Sequence, residues 1–80
     1  MKDVVIGKPL EVAYVENSRP HIMLPVLQLE EVKALLEKHN LDYYVDDFSI
    51  AISGKPAYIV VSLDWDADPV HAQHILDSVP

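Results

Sequence analysis

The residues best suited to chemistry stand together near one end of the chain: Asp64-Trp65-Asp66-Ala67-Asp68, followed by His71 and His74. Carboxylate oxygens are hard donors and imidazole nitrogens borderline ones, so a strand end and the first turns of a helix can bring both onto a divalent cation. Spacing argues against two familiar versions of such a site. A calcium loop opening at Asp64 needs glycine at its sixth position and glutamate at its twelfth, where this chain has Pro69 and Ile75. His71 and His74 are three apart, whereas the zinc-protease pair is four apart with a glutamate between. The same residues also have an ordinary structural use. Asp68 caps a helix opened by Pro69, Asp66 suits its positive end, and the two histidines face solvent together with Asp77 in reach of His74.

Other chemistries find less support. The chain has no cysteine, which removes disulfides, thiolate metal sites and a Cys nucleophile. Ser49, Ser53, Ser62 and Ser78 lie in no nucleophile-elbow context. Asp64 and Asp66 would serve as an acid–base pair only if their surroundings pushed their proton affinities apart, and the sequence indicates no such difference. Thirteen acids against six scattered bases give a formal charge of −7, the wrong sign for a phosphate backbone. Nucleic acid is therefore not an expected partner, and neither is a membrane, since no apolar run approaches the ~20 residues that span a bilayer. Met1-Lys2-Asp3-Val4 lacks the apolar stretch of a secretory signal, which points to the cytoplasm.

These candidates depend on a scaffold that one domain, residues 1–80, must supply. Phe48, Ile50 and Ile52 alternate with Ser49, Ala51 and Ser53, the period of a strand with one face buried. Gly54-Lys55-Pro56 then turns the chain into a second arm, Ala57 to Leu63, with Ile59, Val61 and Leu63 on one face and Tyr58, Val60 and Ser62 on the other. Leu41 to Val45 predicts a shorter strand ahead of the Asp46-Asp47 turn. Upstream, Val4-Val5-Ile6 reads as extended before the Gly7-Lys8-Pro9 turn, and Leu10 to Val15 and His21 to Val26 read as strands of an antiparallel hairpin. From Leu29 the period changes. Leu29, Val32, Leu35, Leu36 and His39 fall on one stripe, with Glu30 and Glu31 at the positive end, Lys38 at the negative end and Asn40 as a left-handed stop. His39 reads as a boundary residue with its ring packed. A second helix follows Asp68-Pro69, with Ala72, Ile75, Leu76 and Val79 inward.

A strand–helix–strand unit crosses over right-handed, so strands 21–26 and 41–45 should run parallel with the first helix on one face and the second helix beside it. The expected class is α+β: a two-layer sandwich of a mostly antiparallel sheet with two helices on one face. Residues 21–79, and above all Leu29-Glu30-Glu31-Val32-Lys33-Ala34-Leu35-Leu36-Glu37 followed by Leu41-Asp42-Tyr43-Tyr44-Val45, resemble the ferredoxin-like α/β plait of ACT domains and of small bacterial signal-transducing proteins with a nitrogen-regulator-like fold. This chain departs from the plait in two ways: it has an extra N-terminal strand, 10–15, expected on the vacant edge beside strand 21–26, and no final strand after the second helix. The resemblance carries over no binding residue, because Leu24-Pro25-Val26-Leu27 stands where the ACT ligand loop is glycine-rich.

In this arrangement Tyr44, Tyr58 and Val60 project with Ala51 from the face without helices. Aromatic side chains on an uncovered sheet suit partner binding. The reading that follows is a small non-enzymatic interaction or regulatory module without a cofactor, self-associating or docking a protein or small ligand on its sheet. The alternative is a divalent-metal protein or metal-dependent enzyme using Asp64, Asp66, His71 and His74.

Overall fold

The computed structural model describes residues 1–46 and 57–80. The run 48–53 and its Gly54-Lys55-Pro56 turn lie outside them. Around that segment the chain forms β1 (Val12–Ala13), β2 (His21–Pro25), a 3-10 turn (Val26–Gln28), α1 (Leu29–Lys38), β3 (Tyr43–Val45), β4 (Tyr58–Leu63) and α2 (Pro69–Asp77). The fold is α+β, and the described residues build a four-stranded antiparallel sheet in the order β1-β2-β4-β3.

β4 is the central strand, as its β-branched and aromatic composition favours. Its partners are Ile22 for Val61 and Leu24 for Ile59 on one edge, and Tyr43 for Leu63 and Val45 for Val61 on the other. β2 and β3 both run against β4 and therefore parallel to each other, as the crossover rule requires, but they do not touch: β4 lies between them. β1 pairs with β2 on the outer edge, where the sequence places the extra strand. The predicted strands are shorter in the structure. Leu10–Val15 contracts to two residues, and Val26 opens the 3-10 turn while its N–H still donates to the Ala57 carbonyl at 3.0 Å.

Alternation decides the core. Ile22 and Leu24 of β2 and Ile59, Val61 and Leu63 of β4 are buried, and form one cluster with Val32 and Leu36 of α1 and Ala72 and Leu76 of α2. Glu30 and Glu31 occupy the first turn of α1 and Lys38 its last, each favourable to the helix dipole. Asn40 takes the left-handed conformation, φ 56°, that stops the helix. His39 is the C-cap of α1, one residue past the last helical turn, and is exposed. The packed ring expected there is not found.

The largest departure is at the N-terminus. Val4–Ile6 is a turn, not an extended piece. Oδ1 of Asp3 accepts from the Val5 and Ile6 N–H groups at 2.7 and 3.2 Å, and the Gly7 N–H donates to the Asp3 carbonyl at 2.8 Å. Gly7 closes the loop at φ 73°, a region open to glycine and strained for other residues. Beyond it Leu10 enters the core with Met1.

Asp68 accepts from the Val70 N–H at 2.9 Å, with Pro69 opening α2. Replacing the cap removes a partner from an otherwise orphaned amide. Asp68→Ala is expected to destabilise the protein by about 0.5 to 2 kcal/mol and Asp68→Asn by less, as read from urea unfolding midpoints.

Candidate interaction surface

The metal-ligand candidates are dispersed. Asp64 Oδ1 accepts from the Trp65 N–H at 2.7 Å, Asp68 is the helix cap, and Asp66, His71 and His74 are exposed. Among the described residues no group of three or more His, Asp or Glu side chains is placed to hold a metal ion. Asp77 does not pair with His74: its Oδ1 accepts from Gln73 Nε2 at 3.0 Å, one turn earlier on the helix.

The sheet face opposite the core brings the other candidates together. Tyr58, Val60 and Ser62 point outward between the buried positions of β4, and Tyr44 of β3 stands beside Ser62. Across β2 the neighbours are Met23 beside Val60 and His21 beside Ser62. Tyr44 is 56% exposed and Met23 51%, while Tyr58 and Val60 are half-buried. Ala51 lies outside the described residues. Met23 belongs to this surface as firmly as Val60 does, and the alternation of His21 and Met23 with the inward Ile22 and Leu24 is the signal that marks it.

The N-terminal loop borders this face. Tyr58 donates its hydroxyl proton to Asp3 Oδ2 at 2.7 Å, so a carboxylate that is only 4% exposed is satisfied by two backbone amides and a phenol. Loop and sheet enclose an open groove of about 510 Å³ lined in part by Lys8, Glu11, His21, Met23 and Tyr58. At the far end, Arg19 lies over the Trp65 ring, 5.5 Å from its centroid, and a recess of about 100 Å³ opens between Arg19, Asp42, Tyr44, Ser62 and Asp64. This cation–π pair adds an aromatic residue, 59% exposed, that pattern reading alone assigns to no surface.

Compared with known proteins, the chain matches no family model, no curated protein and no solved structure.

Two phenols are held protonated by their surroundings. The hydrogen bond to Asp3, then burial, then the Asp3 charge raise Tyr58 above the ordinary value of 10.0. The bond from Tyr43 to Glu37 Oε1 at 2.6 Å, then burial, then the charges of Glu37 and Glu30 do the same for Tyr43. A pKa higher in the folded than in the unfolded chain gives stability that is fully present below pH 10 and is lost as pH rises through the folded value. Tyr58→Phe should therefore lower the melting temperature at pH 7 and shrink the further fall seen above pH 10, leaving the part due to Tyr43. Melting curves of both proteins across pH 7 to about 11.5 check this.

Proposed function

We propose that the chain is a non-enzymatic interaction module of the cytoplasm, built as a two-layer ferredoxin-like sandwich that docks a partner on its outer sheet face. Support for the sandwich comes from the strand order: β2 and β3 flank β4 in one direction with α1 connecting them, and β1 takes the free edge beside β2. The single observation that carries the docking reading is the pair of exposed side chains Met23 and Tyr44, with half-buried Val60 beside Met23, on the sheet face opposite the buried cluster. Covering such side chains is worth about 1.5 to 3 kcal/mol each, which offsets part of the ~4 to 15 kcal/mol lost in association. No helix of the described residues is long and apolar enough to cross a membrane.

A second copy is the first partner to test. Two chains of charge −7 repel, so self-association through this face should strengthen as salt screens them. Sedimentation velocity at high micromolar concentration is expected to show dimers that increase between low salt and about 0.5 M NaCl. Val60→Asp should give monomers, and Val70→Asp, an exposed position on α2, should not. A wild-type chain that remains monomeric throughout contradicts self-association.

A further inference from the structure

The outer face has an apolar centre with a carboxylate on each flank. The β1–β2 register, Val12 opposite Ile22, puts Glu11 next to Met23, and both line the groove. On the other side the Asp46 N–H donates to the Val60 carbonyl at 3.1 Å, which carries the β3 register one residue further and sets Asp46 on the same face as Tyr44. One row across the sheet thus reads Glu11, Met23, Val60, Asp46. Asp42 and Asp64 extend the acidic rim at the Tyr44 end. Among the described residues, cations that border the face include Lys8, in the groove, and Arg19, which lies over Trp65.

This pattern limits what fits. A second copy of the chain, stacked with its two-fold axis along the strands, sets Glu11 over Asp46 of the other copy. With the axis across the strands, each carboxylate meets its own counterpart. Either way like charges oppose at both margins. Glu11 and Asp46 stand three strand spacings apart, about 14 Å at the usual ~4.8 Å per strand. A helix with its side chains is about 10 to 12 Å across, so one laid along the strands presents its apolar stripe to Met23 and Val60 and its flanking side chains to the two carboxylates. Long basic side chains suit those flanks, since their stems pack on apolar surface while their charged ends reach outward.

We propose that the outer face is a docking site for a basic amphipathic helix of a partner protein, with apolar contacts to Met23 and Val60 and lysine or arginine contacts to Glu11 and Asp46. This rests on the docking reading above and names the partner's chemistry. It makes self-association the weaker, salt-dependent use of the same surface.

The test uses a fluorescently labelled 18-residue leucine–lysine helical peptide, with a leucine–glutamate peptide of the same pattern as control, titrated with the intact chain and followed by anisotropy. The lysine peptide should bind, weaken as salt rises and dissociate any dimer, and the glutamate peptide should not bind. Met23→Ala and the pair Glu11→Gln with Asp46→Asn should each weaken binding at least ten-fold while leaving the circular dichroism spectrum unchanged. The charge-matched pair Glu31→Gln with Asp77→Asn, on the helices, should leave affinity within two-fold. Equal loss from both pairs means diffuse charge attraction and overturns the proposal. No binding of the lysine peptide by a chain that still dimerises through Val60 overturns the helix partner and leaves the docking reading standing. No binding together with no dimer overturns both. Binding to anionic lipid vesicles without binding to the lysine peptide also overturns it.

Discussion

β4 is hydrogen-bonded along both edges, and the rest of the structure depends on that constraint. In an antiparallel ladder alternate residues direct their backbone groups to opposite neighbours. The Val60 carbonyl accepts from Asp46 on the β3 side, while the Leu63 N–H and the Ala57 carbonyl bond Pro20 and Val26 on the β2 side. Once the register is fixed from both edges, a shift of one residue would turn Ile59, Val61 and Leu63 out to water and Tyr58, Val60 and Ser62 into the core. The buried cluster and the outward-facing row are therefore two consequences of one register.

The edge of the sheet at β1 is managed by side chains, not by another strand. Gln73 of α2 accepts from the Val12 N–H at 2.7 Å and donates to the Leu10 carbonyl at 3.0 Å, so its amide takes the place of the next strand's peptide group. Gln28 does the same for the N-terminal loop, accepting from the Val4 N–H at 3.0 Å and donating to the Lys2 carbonyl at 2.7 Å. Each glutamine satisfies two backbone groups that would otherwise lie unpaired beside a core, and Gln73 also closes a pairing edge to other chains. The segment from Met1 to Val12 is thereby bound to the 3-10 turn and to α2, and Asp3 reaches Tyr58 at the border of the outer face.

What was legible in the sequence was local. Period two shows Ile59, Val61 and Leu63 as a buried row, period three to four shows the α1 stripe, and Asp68-Pro69 and Asn40 mark helix ends through their own backbone chemistry. The N-terminal turn was not legible. Val4-Val5-Ile6 has strand composition, and what makes it a turn is the Asp3 carboxylate held by Tyr58, 55 residues away. The glutamine contacts share this character, since an amide in a helix carries no sign of the backbone it will meet. Spacing along a chain says nothing about convergence, so the aspartates and histidines of 64–74 left a metal site open as the alternative reading. In the structure local backbone bonds use Asp64 and Asp68, and α2 leaves His71 and His74 exposed.

The proposed docking rests on a sheet face that carries exposed Met23 and Tyr44 between acidic margins. The openness of that face can be measured residue by residue. A neutral, soluble paramagnetic agent added to methyl-labelled protein broadens NMR signals in proportion to their contact with solvent. Under monomeric conditions the account predicts strong broadening of the Met23 methyl signal, intermediate broadening of half-buried Val60, and near-complete protection of Ile22, Leu24 and Val61 on the reverse of the same strands. Comparable protection of Met23 and Val61 would show that both faces of the sheet are covered, and would contradict it.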